Sequence, residues 1–90
     1  MKKAIITVIG NDMRGIIAKV STLLAENDIN ILDITQTTMQ EYFTMIMLCD
    51  ITNNKLKFAE LAEILDTLGT ELGLSVRIQH EDIFKSMHRL

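Results

Sequence analysis

Residues 3–24, KAIITVIGNDMRGIIAKVSTLL, contain the change of hydrophobic period on which the fold prediction depends. The first part, Lys3 to Ile9, is short and rich in β-branched side chains, as is typical of a buried strand. From Ile16 onward the apolar residues recur at three- and four-residue spacing, which predicts one apolar face of a helix. Between these two patterns, Gly10 and Gly15 enclose a turn. The stretch therefore predicts a strand, a loop and an amphipathic helix, in that order.

The rest of the chain repeats the alternation between strand and helix patterns. The predicted elements are a strand at 29–38, a hairpin turn at Gln40–Glu41, a strand at 42–50, a helix at 58–72 capped by Gly73, a strand at 74–79 and a short C-terminal helix with Ile83, Phe84, Met87 and Leu90 on one side. Right-handed crossovers and a central hairpin leave one common solution for the order β-α-β-β-α-β. We therefore expect an α+β fold, the ferredoxin-like sandwich of a four-stranded antiparallel sheet with two helices on one face, plus the short C-terminal helix.

Two of the predicted strands are apolar on both faces. In the first, Ile5 and Ile9 alternate with Ile6 and Val8, and the strand at 42–50 shows the same property. A sheet with helices on one side only would leave an apolar patch in water, and such patches usually mark an interface. We expect the C-terminal helix to cover part of this patch and a second copy of the chain to cover the rest, so the sequence predicts a homodimer.

Length and composition restrict the class of protein. Ninety residues, 48% hydrophobic and 23% charged, suffice for one compact domain, which we expect to span residues 1–90. The net charge of −3, with nine scattered Lys and Arg residues, disfavours nucleic acid and anionic membranes as partners. The single Cys49 cannot form an intrachain disulfide, and we find neither a secretion signal nor a membrane-spanning run, so we expect a cytoplasmic protein.

The loop between the first strand and the first helix is the candidate site. The N–H groups of a helix's first turn carry the positive end of its dipole, so a carboxylate is stabilised there. Gly15 lacks a Cβ and lets a ligand approach the backbone, while Asn11 and Asp12 supply oxygens that suit an ammonium group. These features together describe a site for a zwitterion. The alternative is structural, with Asp12 as the helix N-cap and the glycines serving only the turn.

The loop sequence Gly10-Asn11-Asp12 followed by Arg14-Gly15-Ile16, with Asn30-Ile31-Leu32-Asp33 at the second predicted strand, resembles the ACT domain. The resemblance extends over essentially the whole chain and is greatest to small stand-alone ACT proteins. It implies a non-catalytic regulatory domain that binds an amino acid between paired subunits and needs no cofactor. The ligand-binding positions that it implies are Asn11, Asp12, Gly15 and Ile16 of the loop and Asn30 from the second strand of the partner.

Arg14 departs from the resemblance, because many ACT loops have Pro just before the glycine. A cationic side chain at this position could select a ligand with an acidic group, or it could simply be solvated. The sequence does not identify the protein that such a domain would regulate.

Other residue groups have simpler interpretations than metal or nucleophile chemistry. His80, Glu81, Asp82 and His88 could suggest a metal site, but acids at a helix start and a cation near its end are typical of helix capping. The methionines could suggest copper, but their alternation in a strand favours packing; they are Met13, Met39, Met45, Met47 and Met87. Cys49 has no cationic neighbour in the sequence that would activate it.

Two other functions fit the predicted fold. A protein–protein interaction module would use the sheet faces and would bind no small molecule. An acyl-phosphate hydrolase would need an Arg in its phosphate loop, and only Arg14 keeps that possibility open.

Overall fold

A computed structural model describes residues 1–11 and 15–87, apart from the side chain of Met87. Its elements are β1 (Lys3–Gly10), α1 (Ile16–Glu26), β2 (Asn30–Met39), β3 (Tyr42–Asp50), α2 (Phe58–Leu72), β4 (Ser75–His80) and α3 (Glu81–Met87). This order confirms the predicted βαββαβ arrangement followed by a short helix. The hairpin turn lies at residues 40–41, and Gly73 ends α2 in the left-handed conformation, as predicted.

The four strands form one sheet in the order β2-β3-β1-β4, and every neighbouring pair is antiparallel. The order matches the expected ferredoxin-like sandwich. β1 and β3 are central, whereas β2 is an edge strand whose residues are almost all exposed. The loop after β1 therefore emerges at the end of the sheet marked by the pairing of Gly10 with Phe43.

The core lies between the sheet and the helices α1 and α2. Alternate residues of the central strands are buried on this side, and the helices contribute their apolar faces. The fully buried side chains of largest volume are Ile6, Leu24, Met45, Met47, Leu61, Leu65, Val8, Val20 and Cys49. Helix α2 approaches the start of β4 closely at the buried Gly69, where a Cβ would lie 2.9 Å from the carbonyl oxygen of Leu74.

The opposite face of the sheet is covered only in part. α3 packs here against β1 and β4, and Ile5 on this face is only 8% exposed. Phe84 of α3 borders a hollow of about 250 Å³ together with Thr7, Ile46 and Arg77. Ile9 and Tyr42 on the same face remain 46% and 51% exposed. The predicted apolar patch and its partial cover by the C-terminal helix are thus both present.

Two strands differ in detail from the prediction. β2 has an irregularity between Ile31 and Asp33, so the extra residue Leu32 breaks the simple alternation that the sequence suggested. β4 begins at Ser75, because the preceding N–H of Leu74 donates to the carbonyl oxygen of Gly69 at 2.7 Å and so belongs to the end of α2.

No helix in the described part of the chain is long and apolar enough to cross a membrane.

Candidate functional site

Gly15 occupies the N-cap position of α1. Its φ of 68° lies in the left-handed region, which glycine adopts at little cost and other residues avoid. Its carbonyl oxygen accepts the first helical hydrogen bond, from the N–H of Lys19 at 3.0 Å. The glycine is therefore required by the turn that starts the helix, and its exposed position leaves the backbone open to solvent.

The structural alternative for the loop makes Asp12 the N-cap of α1. The structure instead has Gly15 at the N-cap, three residues later and without a side chain. Among the described residues, no side chain accepts a hydrogen bond from the first-turn N–H groups, and the first turn contains no acidic residue. The positive end of the α1 dipole is thus not offset by the helix's own side chains.

The predicted site residues of the loop are only partly described. Asn11 follows β1 directly and is exposed, while Asp12 and Arg14 lie outside the described residues. Ile16 is 4% exposed because its side chain belongs to the hydrophobic core. Ile16 can therefore offer a ligand only its backbone N–H.

Asn30 lies far from this loop within one chain. It is the first residue of β2 and pairs with Asp50, and Asp50 also pairs with Lys3 at the start of β1. Gly10, which leads into the loop, is seven residues further along β1, or about 23 Å at the usual strand rise. One chain alone does not bring Asn30 and Gly15 together, so a shared site requires a second copy.

The neighbourhood of Asn30 contains an ordered carboxylate that the sequence analysis missed. The backbone N–H and the hydroxyl of Thr52 donate to Oδ1 of Asp50 at 2.9 and 2.5 Å. The hydrogen bond from the hydroxyl, followed by that from the backbone, lowers the pKa of Asp50 below its usual 3.8. The backbone N–H of Lys2 donates in turn to the Thr52 hydroxyl at 2.9 Å. The spacing Asp-x-Thr is the only sequence signal of this arrangement, and it is a common one.

The residues considered for metal binding have structural roles. Nζ of Lys85 lies 3.7 Å from Oε1 of Glu81, and Glu81 and Asp82 occupy the first turn of α3. The ring of His80 stacks on Phe58 with 3.9 Å between centroids, whereas His88 lies outside the described residues. Within residues 1–11 and 15–87, no three His, Cys, Asp or Glu residues are grouped so that they could hold a metal ion.

Sequence and structure comparisons agree with this architecture. A profile of the ACT domain family matches residues 2–79. The chain belongs to the ACT domain family, whose members are regulatory domains that commonly bind small molecules. Its relatives within that family are UPF0237 proteins. One of these, from Methanocaldococcus jannaschii, is 54% identical over 90 residues, which cover 100% of both chains.

Solved structures support the same assignment. An ACT domain protein from Streptococcus pneumoniae superposes with a TM-score of 0.82 and 42% identity, over 93% of this chain and 94% of that one. A putative glycine cleavage system transcriptional repressor superposes with a TM-score of 0.73 and 25% identity, over 88% of this chain and 45% of that one. The fold thus occurs both in a chain of similar length and as a part of a larger protein.

Proposed function

We propose that this chain is a non-catalytic, cytoplasmic regulatory domain that spans residues 1–90 and binds an amino acid as a homodimer. The observation that carries the proposal is the start of α1, where a left-handed glycine stands at the N-cap and no side chain of the first turn offsets the dipole. An α-carboxylate placed against these N–H groups would be stabilised by hydrogen bonds and by the dipole.

The remaining loop residues suit the other end of a zwitterion. The oxygens of Asn11 and Asp12 would accept hydrogen bonds from the ammonium group, and the charge of Asp12 would offset that of the ligand. Arg14 would lie at the mouth of the site, where it would contact either solvent or an acidic side chain of the ligand. Each group in this assignment binds the ligand, and none carries out a reaction.

A second copy would complete the site through the edge strand β2. Two antiparallel β2 strands related by a two-fold axis would place Asn30 of one copy beside Met39 of the other, at the end of the sheet from which the loop emerges. The edge suits such pairing because Leu32 and Ile34 are 45% and 41% exposed along it.

A thermal-shift screen of the twenty amino acids tests the proposal. A ligand at 100 times its dissociation constant adds about 2.7 kcal/mol to stability, which raises the melting temperature of a domain of this size by about 14 °C. We expect one chemical group of amino acids to produce such a shift. A screen in which no amino acid shifts the midpoint by more than about 1 °C would contradict the proposal.

Matched variants locate the binding site. Asp12→Ala should abolish the shift and Asp12→Asn should reduce it, because the amide keeps the oxygen acceptor but not the charge. Asn30→Ala should weaken binding by about 1 kcal/mol, the usual value of one hydrogen bond. The control is Asn53→Ala, since Asn53 is an exposed asparagine that belongs neither to the loop nor to β2. Equal effects of the two asparagine variants would remove Asn30 from the site.

A further inference from the structure

The outer surface of the helix layer contains a continuous apolar groove between α1 and α2. Two adjoining hollows of about 360 and 320 Å³ share Leu23 of α1 and Leu68 of α2 as their common floor. Ile64, which is 36% exposed, extends this floor along α2. Leu23 and Leu68 are only partly buried, although both pack against the core. The groove thus exposes apolar side chains that also pack against the hydrophobic core.

Acidic side chains dominate the rim of this groove. Glu26 borders the first hollow, and Glu63 and Glu71 border the second, whereas Lys19 is the one basic residue among those that line the two. Helix α2 as a whole contains four acidic residues and neither Lys nor Arg. None of the three rim glutamates takes part in an ion pair within the described residues. The rim therefore presents negative charge that no ion pair of the described residues neutralises.

The dimensions of the groove fit one short helix. α1 has 11 residues and α2 has 15, so their lengths are about 16 and 22 Å. A partner helix of about three turns would span the floor, placing apolar side chains at i, i+3, i+4 and i+7 against Leu23, Ile64 and Leu68. Lys or Arg residues on its flanks would then face the glutamates. Because the rim is acidic, it favours a basic partner helix over a neutral or an acidic one.

We propose that the α1–α2 groove is the docking surface for a basic amphipathic helix of another protein, the one that this domain regulates. The surface is separate from β2 and from the sheet face opposite the helices, so a homodimer would leave it open. The inference rests on the proposed function only in naming the partner as the regulated protein. Because α1 forms both one wall of the groove and the proposed amino-acid site, a ligand and a docked helix would contact the same element.

A synthetic peptide of known composition tests the groove directly. The probe is a 14-residue peptide of Leu and Lys alone, with Leu at helical i, i+3, i+4 spacing, titrated into the full chain and followed by methyl NMR and calorimetry. We expect saturable binding that shifts the methyl signals of Leu23, Ile64 and Leu68 and that weakens as salt is added. The same peptide with Glu in place of Lys should not bind.

Two double variants with the same change of net charge, one at the groove and one elsewhere, show whether the peptide binds at the groove or responds only to the net charge of the protein. Glu63→Lys with Glu71→Lys should weaken binding about tenfold, whereas Glu41→Lys with Asp82→Lys, the same change of net charge at exposed sites elsewhere, should leave it unchanged. All four positions are exposed, and the melting temperature of each pair is compared with that of the natural chain first, because Asp82 lies in the first turn of α3. Equal weakening by both pairs, or peptide shifts outside the groove, would overturn the proposal. The amino-acid screen uses no peptide, so either proposal can fail without the other.

Discussion

Cys49 is a fully buried thiol on the core side of β3. Desolvation by burial raises its pKa from 9.0 to about 11. Because the thiolate is the reactive form, a rise of this size lowers the reactive fraction at pH 8 by about 100-fold. We expect Cys49 to resist iodoacetamide in the folded protein and to react fully in denaturant, as measured by mass spectrometry. Rapid labelling without denaturant would show that the thiol of Cys49 is accessible to the reagent in the folded protein.

The raised pKa of Cys49 also predicts how stability depends on pH. The unfolded chain ionises this thiol near pH 9, whereas the folded chain keeps it neutral until about pH 11. The contribution of Cys49 is therefore fully present below pH 9 and is lost as the pH rises through 11. Denaturant unfolding across this range should show a steeper alkaline loss in the natural chain than in Cys49→Ala, in which all other titrating groups are the same. Parallel profiles would contradict the burial of the thiol.

The sequence identified individual residues of the candidate site, but it did not predict what each of them does in the structure. Gly15 was selected because it lacks a Cβ, and the structure adds that its backbone is left-handed at the N-cap. Ile16 was selected from the resemblance, yet its side chain is in the core, because a helix buries its first apolar residue when that residue lies on the inner face. A hydrophobic period identifies the buried face, but it does not specify the cap.

At the scale of elements, α2 provides a measurable cap. The carboxylate of Glu60 accepts a hydrogen bond from the backbone N–H of Lys57 at 3.0 Å, which satisfies a donor before the first turn. Glu60→Ala should lower the free energy of unfolding by about 1 kcal/mol in urea denaturation. Glu60→Gln should recover most of that loss, because the amide oxygen still accepts the bond.

The matched control for this cap lies one turn further along the same helix. Glu63 is exposed, and its side chain forms no hydrogen bond or ion pair with the described residues, so Glu63→Ala should change stability by less than about 0.5 kcal/mol. If Glu60→Ala and Glu63→Ala were equally mild, the bond to Lys57 would not stabilise α2. If both were equally severe, the loss would come from the charge near the helix start and not from the cap.

The hydrophobic period predicted the ends of an element where those ends depend on local sequence and not on pairing with a distant strand. The start of α1 at Ile16 and the end of α2 at Gly73 depend on local patterns, and both agree with the sequence. The irregularity at Leu32 depends on how β2 aligns with β3, which a single strand's alternation does not encode. β4 starts one residue late because Leu74 completes the end of α2.

At the scale of the whole molecule, net charge was a poor guide to surface charge. The total of −3 suggested no strong field, yet α2 alone contains four acidic residues and no basic one. The balance comes from Lys and Arg elsewhere in the chain, so an average over 90 residues conceals a patch of one sign. Similarly, Asn30 and Gly15 could be joined in one site only through the resemblance, because Asn30 and the start of the loop at Gly10 lie at opposite ends of the sheet.

The proposed homodimer predicts that thermal stability depends on protein concentration. If folding and association are coupled, a tenfold rise in concentration adds about 1.4 kcal/mol per dimer, or about 0.7 kcal/mol per chain. For a domain of this size that is a rise in melting temperature of about 4 °C per tenfold step, measurable by scanning calorimetry.

Two substitutions locate the contact between the copies. Ile34→Lys introduces a charge on the β2 edge at a position 41% exposed, so the fold should persist while the concentration dependence of the melting temperature weakens. Ile9→Lys makes the same change on the opposite face of the sheet, at a position 46% exposed. If only Ile9→Lys removed the dependence, the copies would meet through that face, and Asn30 would have no route to the partner's loop.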